Sequence, residues 1–345
     1  MKKMITAYIL STFIISMACI LAIMIIKGRG ERKLTVKVLI LPKFEVGEMA
    51  GDFPGEAQFY YEGFLEGGKE YDILNGDDTL KLYFKDGVAL CTIGTSKVNS
   101  ALNTSRVLSD PRFDFSQAYI ISTGCAGSAA GSTVMGDVFV ITDAADYDLG
   151  HHADPREMTS GRTENWFHDP MYDGIASIRL NKELAQKVFS LVKDIKLETT
   201  QRTQSFMKAA FPGESWAMRD PKVLKGSTIT GDNYWKGKYG HDNALLITET
   251  YGFDDPYALT EMEDAAIGQA IRKHGMLDRF IILRDSVNID AFMMGETPES
   301  LWCSSSQNTV VSDSGTESAD IFTTAMENNF KVGKVIIEAI LSGKL

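Results

Sequence analysis

The chain of 345 residues carries 35 Lys and Arg against 46 Asp and Glu, a formal net charge of −11, and 44% of it is hydrophobic. Six of the basic residues stand in the first 33 against the single Glu31, so residues 34–345 carry −16, a balance that repels phosphate backbones and argues against nucleic acid as a partner. Four cysteines are too few for a disulfide-built scaffold, and their spacings match no zinc motif.

Lys2 and Lys3 precede 23 residues, 4–26, broken only by Thr6, Ser11, Thr12 and Ser16. At about 1.5 Å per helical residue this run can cross a hydrocarbon core of about 30 Å. Residues 1–33 are therefore expected to be a signal peptide or a membrane anchor. The two stay open, because no small-x-small cleavage site follows and Lys27, Arg29, Arg32 and Lys33 blur the charge asymmetry. The expected location is exported, periplasmic or extracellular, with membrane contact through this segment if it is not cleaved. No second run reaches spanning length, so a multi-helix transport path has nothing to be built from.

Residues 34–345 read as one α/β domain with an insertion over 150–226. Strands are expected at 34–41, 79–84, 88–93, 117–123, 137–145, 228–233, 244–248 and 279–284. Helices are expected at 57–69, 96–108, 181–195, 199–210, 259–274 and 323–341. This alternation predicts a mixed central sheet flanked by helices. In an oxidising compartment a Cys91–Cys303 bridge is an option.

Five segments carry chemistry. Ile121-Ser122-Thr123-Gly124-Cys125-Ala126-Gly127-Ser128 runs a strand into a Gly-rich turn, where bare backbone N–H groups can face an anion or a sugar. Thr92-Ile93-Gly94-Thr95-Ser96-Lys97 ends one strand and opens a helix, aiming free N–H groups over the sheet edge. Thr230-Gly231-Asp232-Asn233-Tyr234-Trp235 offers two aromatics on which a flat base can stack. Thr260-Glu261-Met262-Glu263-Asp264 places carboxylates at a helix start, and Phe44-Glu45-Val46-Gly47-Glu48 with Gly55-Glu56 forms an acidic first loop. Each has a plainer reading: a packing turn, a helix cap, core aromatics, dipole compensation, a solvated loop. His151-His152 suggests no metal site, since adjacent histidines diverge in extended chain and no third ligand follows. Trp166, Phe167, His168 and Tyr172 are candidates for a pocket mouth or a subunit contact.

Taken in this order, the motifs resemble those of the purine nucleoside permease family, within the wider nucleoside phosphorylase and nucleosidase superfamily. The resemblance runs over about residues 35–340, and its marks are Phe44-Glu45-Val46-Gly47-Glu48, Gly51-Asp52-Phe53-Pro54-Gly55-Glu56, Tyr234-Trp235-Lys236-Gly237 and Thr260-Glu261-Met262-Glu263-Asp264. It implies a nucleoside-phosphorylase-like fold, a purine nucleoside as ligand, homo-oligomers, and no cofactor beyond inorganic phosphate if the reaction is phosphorolysis.

It also implies roles. Met262 and Glu263 would hold the ribose hydroxyls, with Gly94, Cys125, Ala126, Gly127, Tyr234 and Trp235 completing the binding surface. Asn288 would meet the base, with Asp285 and Asp290 as alternatives, and Val287 stands where the superfamily pattern has Ser. A carboxamide exchanges hydrogen bonds without full proton transfer and suits 6-oxopurines. For the nucleophile, Glu45 is the preferred base to activate water, with Glu48 and Glu56 as alternatives. Arg106, Arg284 and the Gly94 turn could instead cradle phosphate. Hydrolysis of the N-glycosidic bond is the favoured reading, with phosphorolysis and non-catalytic capture for uptake as alternatives.

Overall fold

The computed structural model describes residues 32–73, 80–299 and 316–345, without the side chains of 316–319. The expected leader lies outside the described residues except for Arg32 and Lys33, and so does Cys303. Among the described residues no helix is long and apolar enough to cross a membrane.

In chain order the strands and helices are β1 (Leu34–Thr35), β2 (Val38–Leu41), α1 (Gln58–Phe64), β3 (Lys69–Asp72), β4 (Lys81–Lys85), β5 (Val88–Cys91), α2 (Lys97–Leu108), β6 (Phe113–Asp114), β7 (Tyr119–Ser128) and β8 (Val138–Asp146). They continue with β9 (His151–His152), β10 (Trp166–Phe167), β11 (Ser177–Arg179), α3 (Lys182–Val192), α4 (Gln201–Ala210), β12 (Val223–Thr230), α5 (Lys238–Thr250), β13 (Tyr257–Glu261), α6 (Asp264–Lys273), β14 (Phe280–Ile289) and α7 (Thr316–Leu341).

Among the described residues ten strands form one mixed sheet, in the order β11-β8-β12-β13-β7-β2-β5-β4-β3, and β14 bridges β7 and β8. Because β14 is parallel to β7 and antiparallel to β8, the ladder β14-β8-β12-β13-β7 closes on itself. Period-two alternation feeds two cores. Leu39, Ile120, Phe139 and Ile282 face α2 and α6, packing with Val107, Ile267 and Ile271. Val38, Ile40, Ile121, Val140 and Leu283 face the other side, with Leu184 and Val188 of α3 and Val332, Ile336 and Ile337 of α7. Helices thus cover both faces of the mixed sheet, as strands that are apolar on both sides require. Within 150–226, β9 and β10 form a small hairpin, β11 pairs with β8, and α3 joins the α7-side core.

Several expected elements differ in kind or bounds, among them the strand at 34–41, which divides into β1 and β2. Residues 244–248 belong to α5, not to a strand: their β-branched residues sit on a helical stripe that buries Asn243, Ala244, Ile247 and Thr248, and tertiary packing overrides propensity. The expected helix at 259–274 divides into β13 and α6, with Met262 and Glu263 at the junction. The last strand runs to Ile289, well past 284, so Asn288 lies inside β14 and not in a following loop.

Candidate active site

A cavity of about 840 Å3, counting its open mouth, lies over the carboxyl ends of β2, β12, β13 and β14 and the outer half of β7. Glu263 and Tyr234 both line it, so the carboxylate at the start of α6 and the aromatic segment before α5 share one space.

Its floor is ionic. Arg284, 1% exposed, projects from β14 and donates through Nε to Asp264 Oδ2 at 2.8 Å, through Nη1 to the Cys125 carbonyl at 2.9 Å, and through Nη2 to Glu261 at 3.1 Å, Glu263 at 3.0 Å and Asp264 at 3.0 Å. Lys43, two residues past the end of β2, is equally buried and donates to Ser122 Oγ at 2.7 Å, the Thr123 carbonyl at 2.9 Å and the Leu41 carbonyl at 3.3 Å, with Asp264 Oδ1 at 3.9 Å. Burial, then the neighbouring Arg284, lowers its pKa. Burial opposes ionisation of Asp264, but Arg284 and Lys43 hold its carboxyl below the ordinary value.

The carboxylates have separate duties. Glu261 caps α6: its Oε2 accepts the N–H groups of Glu263 at 2.6 Å and Asp264 at 2.7 Å, and its Oε1 accepts the Thr228 hydroxyl at 3.1 Å and that of Thr230. Burial and the adjacent Asp264 push Glu261 up to about 8. Glu263 turns to the cavity, held by Arg284 on one oxygen and by the Ser96 N–H at 3.1 Å on the other. Glu56, 4% exposed, accepts the Lys43 N–H at 2.6 Å, the Cys125 N–H at 2.9 Å and the Cys125 thiol at 3.3 Å. Burial raises its pKa. A Cβ on Gly124 would stand 2.2 Å from Glu56, so glycine there makes room for this carboxylate.

The opposite wall takes its shape from an irregularity. The β7–β14 register shifts between Ser286 and Asn288, a bulge at Val287. Neighbouring residues of a regular strand face opposite sides, whereas here both Val287 and Asn288 line the cavity. A Cβ on Gly127 would lie 3.0 Å from Asn288 Nδ2, so this glycine also admits a close neighbour. Tyr234 stands half exposed at the mouth with its hydroxyl 3.4 Å from Asn288 Nδ2, and Trp235 behind it stacks on Tyr147 at 5.3 Å.

The sequence model of the purine nucleoside permease family matches residues 35–344. The chain belongs to that family. A Schizosaccharomyces pombe protein named as a purine nucleoside permease is 28% identical over 222 residues, 58% of this chain and 63% of that protein. The 5'-methylthioadenosine/S-adenosylhomocysteine nucleosidase of Bacillus subtilis is 24% identical over 220 residues, 64% of this chain and 76% of that protein. This chain spans between half and two thirds of the length of the curated permeases it matches. Among solved structures, the nucleosidase of the same name from Neisseria meningitidis, in complex with methylthio-immucillin-A, superposes with a TM-score of 0.52 at 17% identity, covering 88% of this chain and 99% of that one. The permease-family chain therefore shares the nucleosidase fold.

Of the residues expected at the site, Cys125, Ala126, Gly127, Tyr234, Trp235, Met262, Glu263 and Asn288 line this permease-family cavity together. Two do not. Glu45 points away: one oxygen accepts the N–H groups of Val46 and Gly55, the other those of Ala57 at 2.9 Å and Gln58 at 2.6 Å, so it caps α1. Gly94 makes a tight turn at φ +81° whose N–H goes to the Lys43 carbonyl, and its neighbour Thr95 reaches the cavity in its place. The phosphate candidates separate likewise, since Arg106 is exposed on α2 while Arg284 is spent on carboxylates. Asp285 faces Asn329, whereas Asp290 lines the cavity. Trp166 is buried, donating to the Leu149 carbonyl, and His168 pairs with Asp173; neither lines the cavity. Lys43 is a residue that the sequence reading missed. A lone lysine between the apolar run 38–42 and Phe44 was its only signal.

Proposed function

We propose that this protein binds purine nucleosides in this cavity and cleaves the N-glycosidic bond with water. The observation that carries the choice of water is the state of the cations. Lys43 and Arg284 are the cationic residues among those described as lining the cavity, and every nitrogen of both is engaged with a carboxylate, hydroxyl or carbonyl. The surrounding carboxylates and carbonyls leave neither cation with a spare donor for a phosphate dianion, and the cavity-facing Glu263 suits a sugar gaining positive charge.

In this reading Met262 and Glu263 hold the ribose, and the Glu263 hydrogen bonds to ribose hydroxyls strengthen as the sugar becomes oxocarbenium-like. Tyr234 and Trp235 receive the base, and the Asn288 carboxamide hydrogen-bonds it without full proton transfer, favouring 6-oxopurines. Glu56, not Glu45, takes the proton from the attacking water: it lines the cavity, and burial raises its basicity towards the working pH. Export by the leader, and assembly into homo-oligomers, belong to the same proposal.

Full-length protein incubated with inosine, guanosine, adenosine or uridine, with and without phosphate, tests the reaction class. Free purine base without phosphate supports hydrolysis. Base only with phosphate, or binding with no product, overturns it.

A further inference from the structure

Asp290, the residue after β14, gathers several segments around the aromatic wall. Its Oδ1 accepts the Ala130 N–H at 2.9 Å from beyond β7; its Oδ2 accepts the Tyr257 hydroxyl at 3.0 Å from β13 and lies 2.7 Å from His241 Nδ1 on α5. Its backbone carbonyl accepts the N–H of Gly237, the residue that starts α5. The carboxylate is fully buried and the His241 side chain is 22% exposed. Tyr234 and Trp235 stand just before Gly237, and the Tyr257 ring lies edge-on to His241 at 5.4 Å and against Trp235 at 6.3 Å. The segment bearing the aromatic wall is thus tied to the sheet through one residue, and the strand bearing Asn288 ends just before it.

We propose that His241 and Asp290 form a latch on the aromatic wall, so that protonation of His241 and capture of a purine against Tyr234 and Trp235 reinforce one another. The proposal rests on the reading of this cavity as a nucleoside site. His241 is a positioning residue: it does not line the cavity and acts through Asp290. An imidazolium adds a charge–charge attraction to the hydrogen bond that a neutral ring makes with the buried carboxylate, so losing the proton loosens α5 and the segment before it. The groups facing the imidazole are Asp290, whose hydrogen bond is the largest influence and raises its pKa; Tyr257, which shares Oδ2; and Asp242 and Lys238 on its own helix, the first raising the pKa and the second lowering it. Burial opposes the shift without reversing it.

Linkage makes the test reciprocal: if protonated His241 favours the ligand, the ligand must raise the His241 pKa by the same factor. The probe is 9-deazainosine, whose carbon glycoside hydrolysis does not consume. Its affinity for the full chain is measured by calorimetry from pH 5.5 to 9, and the imidazole is titrated by NMR with and without it. Affinity is expected to fall about tenfold as pH rises through the imidazole pKa, and saturating probe to raise that pKa by about one unit. His241→Asn, which keeps a neutral donor, is expected to bind at all pH values with the weaker affinity of the high-pH wild type. An imidazole pKa unmoved by bound probe overturns the latch on wild-type protein alone, whether or not the variant folds. So does a pH dependence that survives His241→Asn. Absence of probe binding at every pH overturns the nucleoside reading itself, and the coupling with it.

Discussion

The backbone N–H of Ser96 donates to Glu263 Oε1 at 3.1 Å from a residue held at φ +74° and ψ 156°, a conformation open mainly to glycine. The turn before α2 accepts backbone strain and thereby aims a donor at the carboxylate that Arg284 grips from the other side. The strain belongs to the Ser96 Cβ, whereas the contact is made by the backbone. Ser96→Gly is therefore expected to stabilise the fold by about 1 kcal/mol, seen as a rise in Tm, while turnover of inosine is unchanged.

Arg284 pairs with Glu261, Glu263 and Asp264, and all four side chains are buried. Arg284→Met is expected to cost about 3–5 kcal/mol, because it leaves buried charges unpaired. Arg284 opposes the upward shift that burial and Asp264 impose on Glu261, so without the guanidinium this carboxyl rises further above its unfolded value. Such a group favours the folded state at low pH and loses that contribution as pH rises through the raised value, so the deficit should shrink on acidification. Urea denaturation of both proteins at pH 5 and pH 8 checks the sign.

Glu45 and Glu56 share a loop but not a duty. Glu45→Ala should remove the α1 cap and cost about 1–2 kcal/mol in stability, with turnover per folded molecule retained. Glu56→Gln should keep the fold and lose about a hundred- to ten-thousand-fold in kcat. Burial raises Glu56, so the active carboxylate disappears as pH falls through a value above the ordinary glutamate range. The acid limb of the wild-type rate profile should lie there and vanish in Glu56→Gln.

Asn288 lines the cavity because of the bulge at Val287. Asn288→Asp supplies a group able to transfer a proton to a purine nitrogen, and is expected to shift the ratio of kcat/KM values towards adenosine and away from inosine. An unchanged ratio would place the base elsewhere.

The paired apolar faces of β2, β7, β8 and β14 were legible in the sequence, because alternating residues bury on opposite sides and the pattern survives without any tertiary information. Met262 and Glu263 were legible as a motif, but the β13–α6 junction that presents them was not. Its strand, Tyr257–Glu261, is short and runs almost directly into helix-favouring residues. The choice between Glu45 and Glu56 turned on which carboxylate meets free backbone N–H groups at a helix start and which meets Gly124 across the sheet, a matter of tertiary contact. Arg284 read as a cation free to cradle phosphate, and Lys43 was passed over, for the same reason: their carboxylate and hydroxyl partners come from distant segments.

The central claim, that Glu56 delivers water to a sugar held by Glu263, is tested most directly by running the reaction on inosine in water enriched in oxygen-18. The account predicts hypoxanthine together with ribose carrying one heavy oxygen at C1, formed at the same rate with or without phosphate and lost in Glu56→Gln. Ribose 1-phosphate as the product, or a labelling rate untouched by Glu56→Gln, would contradict it.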